Sequence, residues 1–134
     1  MTDLTRLLAH EMAALLRTGE VSSHELTEAH LAAAERDNRA LHAWLTIDRE
    51  RALREADAAD TRLAAARSGG TAALDLLRPL LGIPVALKDL VSLAGGQCTA
   101  GSRILEGYRA PYDAHITERL RDAGAVILGK TNMD

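Results

Sequence analysis

Hydrophobic residues recur at spacings of three and four along the start of the chain, which predicts an amphipathic helix. The apolar face of this helix consists of Leu4, Leu7, Leu8, Met12, Leu15 and Leu16. Gly19 follows where a helix favours a left-handed residue, so the helix should end there. Ser22 and Glu25 then form a capping box, which predicts the start of a second helix that ends near residues 37–38.

Residues 41–48 change to a period of two, which is typical of a half-buried strand. The apolar set is Leu41, Ala43, Leu45 and Ile47, and the alternating set is His42, Trp44, Thr46 and Asp48. The pattern therefore predicts a short strand whose apolar set faces the core. From Asp48, a candidate N-cap, to Arg67 the helical period returns, and residues 68–70 should end this third helix.

The second half of the chain contains two short apolar runs that predict strands. The first is residues 83–87, where Pro84 must be at a sheet edge or be the first paired residue. The second is residues 125–128, whose continuous apolar character is typical of a buried parallel strand. Residues 90–111 contain four glycines and follow the carboxyl end of the first strand, where open α/β sheets bind ligands. This long loop is therefore expected to be functional.

A helix is expected between the two strands. Asp113 can cap it, Ile116 and Leu120 form its apolar face, and Gly124 ends it. A strand, a crossover helix and a second strand together make one right-handed βαβ unit, so part of the sheet should be parallel.

These elements predict an α/β protein with amino-terminal helices followed by a βαβ unit of a mixed, partly parallel sheet. The helical part covers residues 1–70, a linker covers 71–79, and the start of the α/β core covers 80–134. The 134 residues match the size of one domain, and a hydrophobic content of 47% argues against disorder. The chain has no Phe, one Trp and two Tyr, so its core is thin in large side chains. This composition indicates a core that is completed by something other than these 134 residues.

The charge pattern excludes several functional classes. A net charge of −3 argues against a surface that neutralises nucleic-acid phosphates. The arginines of the third helix alternate with acidic residues, which favours a solvated, salt-bridged face.

Cys98 is the only cysteine and cannot form an internal disulfide. Because no signal peptide precedes the first helix and no apolar run could span a bilayer, we expect a cytoplasmic protein without membrane contact.

Lys88 lies towards the far end of the apolar run 80–90. An ammonium beside a buried strand either extends to water or loses solvation, and lost solvation favours the neutral form. A neutral lysine can act as a general base. A lysine with its tip in solvent is the simpler alternative, and the local pattern leaves both interpretations open.

Other candidate sites fail on spacing or context. Residues 124–131 match the Walker A pattern, but the intervening residues should form a strand rather than an anion-binding loop. The five histidines lack metal-ligand spacing with one another or with Cys98. Ser92 and Ser102 are hydroxyl donors in the long loop for which turn-forming roles are favoured. The chain is therefore predicted to hold no metal or cofactor site.

Four blocks of the chain together resemble the amidase signature family. They are residues 82–89, which include Lys88, and residues 99–102, 111–114 and 124–134. The amino-terminal helices also look like those of that family, so the resemblance covers the whole chain. It implies an amidase-signature fold, of which residues 1–134 are the amino-terminal part of a single domain.

In that family, catalysis uses a serine nucleophile, a second serine in cis-peptide geometry and a lysine. The resemblance assigns the lysine to Lys88, which would accept a proton relayed from the nucleophile through the second serine. The family's serines lie downstream of the block matched by residues 124–134, and neither Ser92 nor Ser102 matches them. The chain is therefore expected to hold one member of the triad and to be inactive alone.

Within the family, the chain is most similar to the A subunits of bacterial tRNA-dependent amidotransferases. That resemblance implies glutamine hydrolysis, with the ammonia used to convert Glu-tRNA(Gln) or Asp-tRNA(Asn) to the amide. It also implies B and C subunits as partners, with ATP, Mg²⁺ and aminoacyl-tRNA bound by the B subunit. Two alternatives stay open: a free-standing amidase that acts on a small or aryl amide, and a non-catalytic truncated binding piece.

Overall fold

The computed structural model describes residues 3–133, so Asp134, the last residue of the family-like block 124–134, lies outside the described residues. Five α-helices and three β-strands occur within this part of the chain. The helices are α1 (Ala9–Thr18), α2 (Ser23–Leu41), α3 (Arg49–Ser68), α4 (Thr71–Asp75) and α5 (His115–Asp122), and the strands are β1 (Trp44–Ile47), β2 (Pro84–Lys88) and β3 (Val126–Thr131). This combination confirms the predicted α/β class.

β3 lies in the centre of the sheet, between β1 and β2. It runs parallel to β2 and antiparallel to β1, which confirms the predicted mixed, partly parallel sheet. Pro84 is the first paired residue of β2, and β2 is an edge of the sheet that residues 3–133 build. Both positions tolerate a residue without an N–H, as the sequence required.

The first predicted helix is wrong at its amino-terminal end, where the chain forms two separate pieces. A 3-10 turn covers Leu4–Arg6, and α1 begins only at Ala9. The break occurs because the Glu11 carboxylate accepts a hydrogen bond from the Leu8 N–H at 2.7 Å and so forms a new helix start. Gly19 ends α1 with a φ of +80°, as predicted.

α2 begins as predicted and ends later than predicted. Ser22 Oγ accepts a hydrogen bond from the Glu25 N–H at 3.0 Å, and the Glu25 carboxylate accepts one from the Ser22 N–H at 2.8 Å. These two bonds confirm the capping box. The helix continues to Leu41, and His42 ends it with a φ of +49°. Leu41 is therefore an exposed helical residue rather than the first residue of a strand.

The predicted inward face of β1 is wrong. Trp44 and Ile47 are half-buried and pack against the core, whereas Leu45 is exposed. A bulge between Trp44 and Thr46 shifts the register with β3 and interrupts the alternation of side chains. A strict period of two therefore assigned Trp44 and Leu45 to the wrong faces.

Three apolar clusters hold the helices on the sheet. The first joins α1, α2 and α3 to the start of β2, the second joins α2 and α3 to β3, and the third lies beneath the long loop. Each fully buried aliphatic side chain contributes about 1.5–3 kcal/mol. The buried members include Leu16, Leu26, Leu63 and Ile83 in the first cluster, Leu31, Val126 and Leu128 in the second, and Leu87, Leu93 and Ile127 in the third.

Two segments of the second half differ from the prediction. α4 occupies part of residues 71–79, which were expected to be a linker. The N-cap of α5 is Ala114 rather than Asp113, because the Asp113 carboxylate binds other partners. Thr117 is the buried residue near the start of α5, whereas Ile116 is exposed. The Thr117 hydroxyl donates a hydrogen bond to a carbonyl of the long loop, which explains its inward position.

Candidate functional site

Lys88 is the last residue of β2 and lies half-buried at the carboxyl end of the parallel strand pair. Its register partner in β3 is Thr131. The Lys88 carbonyl accepts a hydrogen bond from the Val91 N–H at 2.9 Å, so the chain turns directly after the lysine. Open α/β sheets bind ligands outside the carboxyl ends of their strands. Lys88 is therefore at the position where a reactive side chain is expected.

Asp89 follows Lys88 and is fully buried. Its N–H donates to the Thr131 carbonyl at 3.0 Å, which extends the pairing of β2 with β3 by one residue. Its carboxylate accepts hydrogen bonds from the Thr99 N–H at 2.9 Å and from the Thr99 hydroxyl. Its carbonyl accepts a hydrogen bond from the Ala100 N–H at 3.2 Å. These contacts fix the long loop to the end of β2.

A buried lysine of β3 balances the charge of Asp89. Lys130 is 1% exposed, and its Nζ lies 3.3 Å from Asp89 Oδ1. The same Nζ donates a hydrogen bond to the Gln97 carbonyl at 2.8 Å. Buried ions need such partners because each loses several kcal/mol of hydration. We refer to Asp89, Gln97, Thr99 and Lys130 as the Asp89 cluster.

Lys130 was not identified from the sequence as part of the site, although the low number of lysines could have drawn attention to it. The chain has two lysines and fourteen arginines. The two lysines, Lys88 and Lys130, both lie near the carboxyl ends of neighbouring parallel strands. Lysine presents a compact ammonium and arginine a planar fork, so the two are not interchangeable. The rarity of lysine in this arginine-rich chain is the signal by which Lys130 could have been selected.

A second carboxylate holds the other side of the long loop. Asp113 accepts a hydrogen bond from the Ala94 N–H at 2.6 Å and another from the Arg121 guanidinium at 2.8 Å. Burial acts to raise the pKa of Asp113, but these two hydrogen bonds and the positive charges of Arg121 and Arg51 together hold the pKa below its ordinary value of 3.8. The hydrogen bond to Asp113 also raises the pKa of Arg121. Charged groups thus fasten the loop on both sides.

The polar side chains of the long loop have local partners. Ser102 Oγ accepts a hydrogen bond from the Ile104 N–H at 3.3 Å, which is a turn-forming contact of the kind predicted. The Ser92 hydroxyl lies 3.9 Å from Sγ of the buried Cys98. These contacts involve a backbone group and a thiol, and they assign no catalytic role to either serine.

Residues 124–131, which match the Walker A letters, form a strand rather than a phosphate loop, as predicted. β3 covers Val126–Thr131 and pairs with a neighbour on each side. Its backbone groups are used in the sheet and do not form an anion-binding nest.

Within residues 3–133, no three His, Cys, Asp or Glu side chains come together as a metal site. No helix of the same region is long and apolar enough to cross a membrane.

A cleft of about 470 Å³ lies beside the Asp89 cluster. Its walls include residues 46–51, where β1 leads into α3, residues 93–97 of the long loop, and Gly129 and Lys130 of β3. Lys88 is not among the lining residues.

A model of the amidase family matches residues 25–134. The chain is 48% identical to the A subunit of glutamyl-tRNA(Gln) amidotransferase from Acidothermus cellulolyticus and 50% identical to the corresponding A subunit from Salinispora arenicola. Both alignments extend over 134 residues and all of this chain, but over 25% and 26% of the two relatives. The chain thus spans about a quarter of the length of the curated relatives that it matches.

The structure is also similar to that of the native peptide amidase from Stenotrophomonas maltophilia. The TM-score is 0.81 and the identity 38%, over 95% of this chain and 25% of that chain. The likeness extends over nearly all of the elements described above, so it confirms the fold that the sequence resemblance implied.

Proposed function

This chain belongs to the amidase family, and from that premise we propose that it supplies the proton-transferring lysine of an enzyme that hydrolyses an amide. The observation that carries the proposal is the position of Lys88 at the carboxyl end of a parallel strand. The lysine lies inside the region that the family model matches. A long loop, fastened to the sheet by charged groups, begins directly after it.

The proposed reaction transfers an acyl group from nitrogen to oxygen. A hydroxyl nucleophile attacks the carboxamide carbon, and its proton passes through a second hydroxyl to the neutral amine of Lys88. The C–N bond then breaks, the proton goes to the departing nitrogen, and water hydrolyses the ester. We assign neither hydroxyl to a residue of this chain. The proposed activity is that of a protein of the relatives' length, and the purified 134-residue chain is expected to be inactive.

The more specific proposal is the glutamine-hydrolysing A subunit of a tRNA-dependent amidotransferase. Identities of 48% and 50% along the whole chain with two such A subunits support it. Glutamine would supply ammonia for Glu-tRNA(Gln) or Asp-tRNA(Asn), in a cytoplasmic complex with B and C subunits. ATP, Mg²⁺ and the tRNA would bind the B subunit, and the net charge of −3 agrees with tRNA contacts elsewhere.

A free-standing amidase is the second candidate. The structural likeness to a peptide amidase, with a TM-score of 0.81, favours it. Its substrate would be a small, peptidyl or aryl amide, and its reaction would use Lys88 in the same way.

Two chimeric proteins would separate the candidates. In the first, this chain replaces the matching quarter of the Acidothermus cellulolyticus protein, and in the second it replaces the matching quarter of the Stenotrophomonas maltophilia peptide amidase. We expect the first chimera to hydrolyse glutamine and, with its companion subunits, to amidate Glu-tRNA(Gln). Activity of the second chimera alone would favour the free-standing amidase. Inactivity of both folded chimeras would favour a non-catalytic piece.

Lys88→Ala tests the proposed role of the lysine in the active chimera. We expect turnover to fall by at least about 10²-fold, because no other group would accept the proton of the nucleophile. Arg54→Ala, at a side chain that is 63% exposed on α3, is the matched control and should retain turnover. Retained turnover in Lys88→Ala would remove Lys88 from its role. Amide hydrolysis by the purified chain would contradict its expected inactivity.

A further inference from the structure

The buried ion pair of Asp89 and Lys130 has no part in the reaction proposed above, although Asp89 adjoins Lys88 in the chain. We propose that Lys130 is a positioning residue, which fixes the backbone that carries Lys88. The inference rests on the proposed function of Lys88 and adds to it a second lysine from the neighbouring strand.

The peptide group between Lys88 and Asp89 is held on both sides. Its carbonyl, from Lys88, accepts a hydrogen bond from the Val91 N–H at 2.9 Å. Its N–H, from Asp89, donates to the Thr131 carbonyl at 3.0 Å, and Thr131 is the residue after Lys130. A rotation of the backbone at Asp89 would therefore break the hydrogen bond to the Thr131 carbonyl and turn the backbone of Lys88 with it.

The Lys130 ammonium is the cation that keeps the charged Asp89 side chain inside the protein. Asp89 is fully buried, and its other carboxylate contacts are the two hydrogen bonds from Thr99. A buried carboxylate without a cation is strongly destabilised. Loss of the ammonium would drive Asp89 towards water, and this movement would release both the loop and the peptide that follows Lys88.

The contacts of Lys130 suit an ammonium better than a guanidinium. One compact group reaches Asp89 Oδ1 at 3.3 Å and the Gln97 carbonyl at 2.8 Å while the side chain stays 1% exposed. A planar guanidinium is larger and presents its donors in a rigid fork. This difference accounts for a lysine at a buried position of a chain that otherwise uses arginine almost throughout.

The two lysines make Lys88 a single-residue spectroscopic probe. With ¹³C at the ε carbon of lysine, the folded chain should give two side-chain NMR signals, and Lys88→Met assigns them by removing the Lys88 signal. We expect Lys130→Met and Asp89→Asn to displace the Lys88 signal by more than its linewidth. Hydrogen exchange at residues 97–101 should also rise, by about tenfold or more.

Arg121→Met is the matched control, because it removes the cation from the Asp113 carboxylate, which binds the Ala94 N–H on the other side of the same loop. It should raise exchange near Ala94 and leave the Lys88 signal in place. An equal displacement of the Lys88 signal in this control would overturn the proposal, since any loosening of the loop would then move the lysine.

An unmoved Lys88 signal in both Lys130→Met and Asp89→Asn would also overturn the proposal, because the pair would then hold only the loop. If Lys130→Met does not fold, the double variant Lys130→Met/Asp89→Asn removes both charges, and the Lys88 signal in that chain decides in the same way. None of these signals requires turnover. Failure of the proposed function would appear separately, as retained hydrolysis in the Lys88→Ala chimera.

Discussion

Replacement of Gly129 by alanine tests how closely β1 approaches the central strand. Gly129 lies opposite Ile47, and a Cβ at this position would lie 2.2 Å from the Thr46 carbonyl oxygen and 2.9 Å from the Ile47 Cα. Because real Cβ atoms essentially never come within 3.0 Å of such atoms, β1 would have to move by about 0.8 Å. The obstacle is backbone, so no side-chain rotation can relieve it.

This displacement lowers stability in two ways. Overpacking at a rigid contact costs about 1–3 kcal/mol. Movement of β1 also stretches two flanking hydrogen bonds, each worth about 1 kcal/mol. They join the Asp48 N–H to the Leu128 carbonyl at 2.9 Å and the Asn132 N–H to the Ala43 carbonyl at 2.8 Å. We therefore expect Gly129→Ala to lower the free energy of unfolding by about 3 kcal/mol.

Trp44 is the only tryptophan of the chain and lies in β1, so its fluorescence reports directly on the strand that moves. The urea midpoint of Gly129→Ala should fall by about 1.5 M for a denaturant slope of about 2 kcal/mol/M. The native emission should also shift to longer wavelength. Unchanged midpoint and emission would refute the close approach of β1.

Gly107→Ala is the matched control for this experiment. A Cβ at Gly107 would meet no atom within 4 Å, so the substitution should cost only the strain of a φ of +83°. That strain is about 1–2 kcal/mol. Because Gly107 lies in the long loop, the Trp44 emission should stay unchanged, which separates steric displacement of β1 from general destabilisation.

Two further substitutions test local features. Ser22→Ala should lower the free energy of unfolding by about 1 kcal/mol, because its hydroxyl caps α2. Ser68→Ala, in the last turn of α3, is the control and should change it by less than about 0.5 kcal/mol in thermal unfolding. Equal losses would argue against the cap. Asp113→Asn should destabilise the chain at about pH 6, and this destabilisation should shrink as the pH falls below 3.8 and through the folded pKa of Asp113. The pKa of Asp113 in the folded chain is below its ordinary value of 3.8. The ionised carboxylate therefore contributes stability above pH 3.8, and this contribution is lost as the pH falls through the folded pKa. Urea midpoints over this range would contradict the reasoning if the difference between wild type and variant stayed constant.

Sequence predicted the elements whose cause lies within a few residues. The Ser22 capping box, the left-handed Gly19 and the Asp48 cap all depend on neighbours along the chain, and all three occur in the structure. The parallel pairing of β2 with β3 was also predictable, because the apolar runs and the helix between them allow few other arrangements.

The errors concern features that distant residues decide. Asp113 is placed to cap α5, but Ala94 and Arg121 bind its carboxylate instead, and the sequence does not show which partner wins. The face of Trp44 depends on a bulge in the register of β1 with β3, and this strand lies about eighty residues further along. Lys130 reaches Asp89 across 41 positions, so no local pattern indicates the pair.

Three consecutive residues at the end of β2 have different surroundings: Leu87 and Asp89 are buried, whereas Lys88 is half-buried. Alternation along a strand places Leu87 and Lys88 on opposite faces, and Leu87 is buried whereas Lys88 is half-buried. Asp89 is buried although the chain turns there, because Lys130 comes from the neighbouring strand to balance its charge. The lysine that we propose to react can therefore remain within reach of a substrate, since a different lysine occupies the interior position that holds the turn in place.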